Sequence, residues 1–123
     1  MNSGLLVAAG LLTLTAIAHS VLGERYILTR LFRRDSLPRL FGSDRFTRRT
    51  LRFAWHLTSV AWLGFAALLV FLARETAPSS YVLLKVVSAT FLLTALITAL
   101  ASRGKHLAWP VFLAVAVLTW FAF

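Results

Sequence analysis

The chain has 123 residues, of which 59% are hydrophobic and 14% charged, and its mean hydropathy is +0.81. Soluble domains average nearer half apolar and a quarter charged residues, so this composition predicts an integral membrane protein and excludes intrinsic disorder. The sequence contains no cysteine, which excludes a disulfide scaffold, a catalytic thiol and a thiolate metal site. The length fits one integral membrane domain covering residues 1–123.

Four apolar stretches follow one another along the chain. They cover residues 4–22, 53–73, 81–101 and 104–123, and the last becomes strictly apolar only from Leu107. A helix needs about 20 residues to cross a hydrocarbon core about 30 Å thick. Unbroken apolar runs favour helices over the alternating segments of a membrane barrel. We therefore expect an all-α fold, a four-helix transmembrane bundle with up-and-down connections.

Basic residues predict the orientation of these spans. Nine lie between Arg25 and Arg52, and Arg103 and Lys105 separate the last two spans, so one side carries eleven of the thirteen lysines and arginines. Basic residues next to a span stay in the cytoplasm, so both termini are expected outside the cytoplasm and the protein in a cell inner membrane. Residues 1–4 contain no lysine or arginine, which favours a first span over a cleaved signal peptide.

The loop of residues 23–52 is basic and amphipathic. Apolar residues recur in it at helical spacing between arginines, which predicts that the first helix continues beyond the membrane until residues 35–38. We expect a second short element at residues 37–41 before Gly42, and Ser43 as the cap of the next helix. The charge predicts contact with anionic lipid, each basic residue contributing about 1 kcal/mol. No nucleic-acid-binding module accompanies it, so nucleic acid is not an expected partner.

Histidines are the most informative polar residues. The three of them, His19, His56 and His106, each lie near the expected cytoplasmic end of a different span. Glu24 is the nearest carboxylate, but five residues correspond to a rotation of about 140°, so it shares a face with His19 only if the helix bends near Gly23. Otherwise we expect Glu24 to pair with an arginine such as Arg25 or Arg52.

Neutral imidazole binds transition metals and haem iron, and helical bundles often build such sites from facing helices. Two cofactors fit this pattern. A single metal ion would be held by His19, His56, His106 and Glu24. Haem b would instead be bound between His56 and His106, with its propionates near Arg52, Arg103 and Lys105. Aromatic walls would come from Trp55, Trp62 and Trp109.

The alternative is that these histidines only anchor the helices at the membrane interface, as tryptophans do. The protein would then be a non-catalytic scaffold or accessory subunit that contacts lipid, a partner membrane protein or a second copy. The chain resembles four-span b-type cytochromes in helix number and histidine use. It resembles small multidrug transporters in length and helix number, but its first span lacks the glutamate on which they depend.

A hydroxyl stripe recurs every four residues on the third span, at Thr90, Thr94, Thr98 and Ser102. We expect it to pack helices together and to meet the hydroxyls of the first two spans, namely Thr13, Thr15, Thr58 and Ser59. A pathway for a proton or small solute is the alternative, but no acidic residue lies mid-membrane. Sequence motifs of hydrolases are absent. Ser20, His19 and Glu24 are the only clustered residues that could supply the nucleophile and acid-base partner of a lipid hydrolase, and whether the chain is an enzyme stays open.

Overall fold

The computed structural model describes residues 1–74 and 79–121, and four helices account for most of them. They are α1 (Ser3–Leu31), α2 (Arg45–Arg74), α3 (Ser80–Ala101) and α4 (Ala108–Trp120). The first three are long and apolar enough to cross a membrane. The predicted all-α class, with four helices, is confirmed.

Helix α1 extends well beyond its apolar part, as its amphipathic pattern predicts. It begins where the Asn2 side chain accepts a hydrogen bond from the Leu5 amide at 3.3 Å. The Asn2 amide donates to the carbonyl of Ala73 at 2.8 Å, which ties this end of α1 to the end of α2. Residues Gly23–Leu28 form a π-helical stretch, and the helix continues to Leu31. Such stretches are rare and occur frequently at functional sites.

The connection between α1 and α2 differs from the prediction. Residues 37–41 contain no helix, because Phe41 (φ 55°) and Gly42 (φ 85°) form a tight turn closed by paired backbone bonds between Leu40 and Ser43. Glycine tolerates a positive φ without steric cost, which explains the turn at this position. The predicted cap is present in weak form, since the Arg45 amide donates to the Ser43 hydroxyl at 3.4 Å.

The fourth helix is shorter than predicted. It begins at Ala108 rather than at Gly104, because Arg103 (φ 53°) and Gly104 (φ 74°) form a turn. Its 13 residues reach about 20 Å, less than the hydrocarbon thickness of about 30 Å. Residues 122–123 of the predicted span lie outside the described part of the chain.

Packing follows the order of the chain. Among the residues that the structure describes, α1 packs against α2, α2 against α3 and α3 against α4, and no other pair of these helices is in backbone contact. Helices α1 and α2 run antiparallel, as the contact of Asn2 with Ala73 shows. Helices α3 and α4 do so too, because Ser88 in the first half of α3 bonds to Ala116 near the end of α4. The up-and-down arrangement is therefore an open row, in which α2 and α4 do not face each other across a closed bundle axis.

Small side chains form the contacts between helices. The buried residues are mainly alanine, serine and threonine, whereas long apolar side chains such as Leu14 (66% exposed) and Leu118 (71% exposed) point outward. At the contact of α2 with α3, a Cβ added to Gly64 would lie 2.6 Å from Thr90 Oγ1. Small residues at close contacts with large apolar residues outside are typical of membrane helices.

The hydroxyl stripe of α3 bonds to its own backbone. Thr90, Thr94, Thr98 and Ser102 each donate to the carbonyl four residues earlier, at 2.6–2.9 Å. The expectation that the hydroxyls of α1 meet this stripe is wrong, because α1 and α3 are not in contact within the described chain. Ser59 faces α1 instead of α3.

Candidate functional site

One end of the molecule carries most of its charge. Residues 23–52 and 102–107 contain eleven of the thirteen lysines and arginines, and we call this the basic end. The last turns of α1 and the first turns of α2 meet there, because the two helices run antiparallel. Two of the three histidines lie between them.

Five side chains form a continuous hydrogen-bonded path, which we call the polar network. It consists of His19, Ser20 and Glu24 from α1 and of His56 and Ser59 from α2. His19 Nδ1 lies 3.1 Å from Ser59 Oγ, and the two serine oxygens are 2.8 Å apart. His56 Nδ1 lies 2.9 Å from Ser20 Oγ, and His56 Nε2 lies 3.2 Å from Glu24 Oε2.

Helical spacing brings these side chains to one interface. On α1, Ser20 and Glu24 are four residues apart and share a face, and His19 is adjacent to it. On α2, residues 52, 55, 59 and 62 recur at intervals of three or four and face α1, and His56 lies four residues after Arg52 on the same side. The polar network therefore links His19 with Glu24 through Ser20, Ser59 and His56 rather than by direct contact.

Burial within the network is greatest at Ser59, and the other four residues are half-buried. At the basic end, the side chains of Glu24 and His56 are 35% and 32% exposed, whereas Ser59 is only 5% exposed. A buried hydroxyl needs hydrogen-bond partners, and Ser59 has two, one on each side along the path. Glu24 and His56 form the accessible entrance to the network.

Glu24 is held by a cation. Arg52 Nη2 lies 2.9 Å from Glu24 Oε1, and Arg52 Nε donates to Oε2 at 3.2 Å, so one of the two pairings predicted for Glu24 is confirmed. The Arg52 guanidinium also lies 5.0 Å from the ring centre of Phe32. Because both carboxylate oxygens contact the guanidinium, the pair fixes the carboxylate in direction as well as in place.

Two tryptophans enclose His19. The Trp55 ring stacks on the His19 ring at 4.5 Å with an angle of 3°, and Trp62 meets it edge-on at 4.9 Å. Trp55 Nε1 also donates to the His19 carbonyl at 2.9 Å. The close fit requires Gly23, where an added Cβ would lie 2.1 Å from Trp55 Nε1. Two of the three tryptophans predicted to form aromatic walls therefore lie against His19.

His106 lies apart from the other two histidines. It follows α3 and packs edge-on against Phe53 at 5.4 Å, with Phe46 at 6.5 Å. His106 Nδ1 accepts a hydrogen bond from the Ala108 amide at 3.4 Å. The structure does not join it to His56, whose two nitrogens both bond within the polar network.

The residues predicted to hold a cofactor are thus divided between two places. His19, Glu24, Arg52 and His56 lie between α1 and α2, whereas Arg103 and Lys105 line a separate cleft and Trp109 donates to the carbonyl of Gly104. Within residues 1–74 and 79–121, no group of three or more histidine, aspartate or glutamate side chains is arranged to hold a metal ion.

Ser59 is the residue of the polar network that sequence reasoning placed with the hydroxyl stripe instead of with the histidines. Its signal, like that of Ser20, is helical spacing, since Ser20 precedes Glu24 by four residues and Ser59 follows His56 by three. Either spacing alone is common. Only the antiparallel register of α1 and α2 brings both pairs into one path.

The network has two complete hydrogen-bonding patterns, because each serine hydroxyl has one hydrogen and rotates. In the first, Ser20 donates to Ser59 and Ser59 to His19 Nδ1. His56 then donates through Nδ1 to Ser20 and through Nε2 to the Glu24 carboxylate, so it is a charged imidazolium.

In the second pattern both hydroxyls are reversed. His19 donates through Nδ1 to Ser59, Ser59 donates to Ser20, and Ser20 donates to His56 Nδ1. His56 keeps only its Nε2 proton, which still faces Glu24. The two patterns contain the same number of protons and differ by one proton moved from His56 to His19.

No known protein family, curated protein or solved structure matches this chain.

Proposed function

We propose that this is a small integral membrane protein whose polar network takes up a proton at one membrane face and carries it inward to His19. The observation that supports this most directly is the unbroken path of contacts of 2.8–3.2 Å from Glu24 to His19. Every group in it both donates and accepts protons in at least one state. Imidazole side chains exchange protons near physiological pH, a carboxylate accepts hydrogen bonds from them, and hydroxyls pass protons on.

Membrane insertion is part of this proposal. Three helices have the length and composition to cross a bilayer, and long apolar side chains point outward from the row. Eleven of the thirteen basic residues lie at the basic end, which supports a cytoplasmic location for that end and non-cytoplasmic termini in an inner membrane. The entrance at Glu24 and His56 would then open toward the cytoplasm.

Proton movement follows from shifting three protons, each along one hydrogen bond of the path, and rotation of the two hydroxyls is needed only to restore the first pattern afterwards. His56 gives its Nδ1 proton to Ser20, Ser20 gives its own to Ser59, and Ser59 gives its own to His19. The charge thereby moves from His56 to His19. At this inner end of the path the Trp55 ring stacks on the His19 ring at 4.5 Å.

The path covers only part of the membrane. His19 lies five residues from Glu24 along α1, about 7.5 Å at 1.5 Å per residue. Beyond it stands the edge of Trp62, and the threonines of α3 bond to their own backbone. We therefore propose proton uptake and storage near one face, which would respond to pH on that side, rather than conduction across the bilayer.

The experiment is a pH titration of the protein in lipid vesicles with ¹⁵N-labelled histidines, followed by solid-state NMR. We expect the His19 and His56 nitrogens to change together in the wild type, because one proton is shared between them. Ser20→Ala removes the bridging hydroxyl and should leave His19 and His56 with two independent titrations. His106 lies outside the network and is the internal reference, unchanged by the substitution.

Ser88→Ala is the matched control, since it removes a buried hydroxyl that bonds between α3 and α4 instead. It should leave the shared titration intact. Independent titration of His19 and His56 in the wild type, or shared titration that survives Ser20→Ala, would refute the relay. The chain would then fit the scaffold or accessory role expected from its composition.

A transition metal ion is the second candidate, because His56 Nε2 and Glu24 Oε2 lie 3.2 Å apart at the accessible entrance. An ion there would replace the shared proton and would need a third ligand, such as water. Haem b has less support, since His106 packs on Phe53 and does not face His56.

Calorimetric titration with zinc separates the two candidates. Binding of one zinc ion per chain that His56→Ala abolishes and His106→Ala preserves would favour the metal site. An absence of binding by the wild type would leave the proton relay as the better account of the network.

A further inference from the structure

A second cleft at the basic end lies between the start of α2 and the turn from α3 to α4, with a volume of about 290 Å³. Four cationic residues line it, Arg45 and Arg49 from α2 and Arg103 and Lys105 from the turn. No carboxylate is among its lining residues. In the described part of the chain none of the four has an acidic partner within 4 Å, whereas Arg48 and Arg52 are paired.

Four cations around one cleft repel each other, and that repulsion is relieved by an anion bound between them. A phosphate group offers several acceptor oxygens, and arginine can bind two of them at once. The charge and size of the cleft therefore indicate a phosphate rather than a neutral ligand.

Backbone geometry fixes the cations on the turn. Arg103 has a φ of 53°, which is unusual for a residue with a side chain, and Gly104 follows at 74°. Ser102, only 2% exposed, donates to the Thr98 carbonyl at 2.6 Å and accepts from the His106 amide at 3.3 Å. A strained conformation held by buried hydrogen bonds suits a binding turn, because the backbone that carries the two cations is already in place before the ligand arrives.

The other wall of the cleft is apolar. Leu40, Phe41 and Phe46 line it, and Phe41 is 78% exposed. The rings of Phe41 and Phe46 meet edge-on at 5.2 Å, and Lys105 Nζ lies 5.6 Å from the Phe41 ring centre. A free phosphate ion has nothing to contact on this wall. A phospholipid does, since its glycerol and first acyl carbons adjoin the phosphate.

We propose that this cleft binds the headgroup of an anionic phospholipid, with its phosphate between the four cations and its acyl chains leaving past Phe41. The cleft lies at the ends of the apolar parts of α2 and α3, where headgroups are found if these helices span a bilayer. Basic pockets between membrane helices bind such headgroups elsewhere. The inference shares membrane insertion with the proposed function but is independent of the proton relay, because no residue of the polar network lines the cleft.

The test compares phosphatidylglycerol with phosphatidylcholine of the same acyl chains, titrated into the detergent-solubilised full chain and counted by native mass spectrometry. Both lipids contain a phosphate, but choline adds a positive charge that the cleft would repel. We expect the wild type to prefer phosphatidylglycerol at least tenfold. Arg103→Gln/Lys105→Gln should weaken that binding about 25-fold, at about fivefold for each basic residue lost.

The matched control is Arg33→Gln/Arg34→Gln, which removes the same charge from exposed residues outside the cleft. It should change the affinity by less than about twofold. If the substitutions at the turn reduce the helix content measured by circular dichroism, Arg45→Gln/Arg49→Gln tests the opposite wall with the same expected loss.

Two results would overturn the proposal. Equal losses in the cleft and control variants would show that only overall charge attracts the lipid, and equal affinity for the two lipids would show that no headgroup is selected. Glycerol phosphate distinguishes a lipid from a free anion. If it displaces the bound lipid at an equal concentration, the site binds soluble phosphate instead.

Discussion

Gly23 is the position at which a single methyl group would disturb the polar network most. It lies on α1 beside the indole of Trp55, and an added Cβ would lie 2.1 Å from Nε1 and 2.4 Å from Cε2. Ordinary van der Waals contact begins at 3.4 Å, so in Gly23→Ala the rigid ring has to move by more than 1 Å. A shift of that size separates Trp55 from both the carbonyl and the ring of His19.

The expected cost follows from what Trp55 loses. Its 2.9 Å hydrogen bond to the His19 carbonyl contributes about 1 kcal/mol, and the stacked ring pair about 1 kcal/mol more. Overpacking of a filled contact costs about 1–3 kcal/mol. Alanine returns about 1 kcal/mol because it favours a helix over glycine. We therefore expect Gly23→Ala to lower the free energy of unfolding by about 2–4 kcal/mol.

The assay is denaturant unfolding in mild detergent, followed by tryptophan fluorescence and circular dichroism. Gly10→Ala is the matched control, since Gly10 is also on α1 and an added Cβ there meets nothing within 4 Å. It should stabilise the protein slightly, by up to about 1 kcal/mol. Equal stability changes in the two variants would refute the close packing of α1 on α2 at Gly23, and with it the position of His19.

Three further predictions concern other contacts. Gly64→Ala should lower the free energy of unfolding by about 1–3 kcal/mol, because the added Cβ meets the Thr90 side chain. A second substitution in the same chain, Thr90→Ala, should restore most of this loss. A loss that persists in the double variant would contradict the contact between Gly64 and Thr90. Ser88→Ala removes a 2.7 Å bond to an α4 carbonyl and should cost about 0.6 kcal/mol by the same assay, against no change if the bond is not formed. The hydrogen bond from Arg48 lowers the pKa of the Asp44 carboxyl below its ordinary value of 3.8. The Asp44–Arg48 pair therefore contributes fully to the free energy of unfolding above pH 3.8, and this contribution is lost as the pH falls further. We therefore expect the free energy of unfolding to fall less between pH 7 and pH 2 in Asp44→Asn than in the wild type. An identical fall in the two proteins would count against the pairing.

Hydrophobic pattern and charge were sufficient to predict the helices. The apolar runs at residues 53–73 and 81–101 lie within α2 and α3, and the amphipathic pattern after Gly23 correctly extends α1. The pairing of Glu24 with Arg52 was one of two alternatives. The fourth helix was predicted too long because the turn at Gly104 depends on a positive φ, which composition does not reveal.

The histidines show where sequence reasoning stops. Their distance along each helix follows from residue count, because the rise per residue is fixed, and this placed His19, His56 and His106 at one level. It does not specify which neighbour each side chain faces. The pairing of His106 with His56 rests on this common level and on the diagonal position of the second and fourth helices in a closed up-and-down bundle. The structure is an open row and packs His106 against Phe53 instead.

Long apolar helices and a basic end can be predicted from the amino-acid sequence alone, since these properties depend on residues close together in the chain. The fold in three dimensions adds that, among the described residues, α1 packs on α2 alone, and that Ser20 and Ser59 connect two histidines. Helix pairing depends on the shape of small-residue contacts such as Gly23 with Trp55, which join residues more than thirty positions apart. Those contacts set the rotation of each helix about its axis, and that rotation brings the polar side chains together.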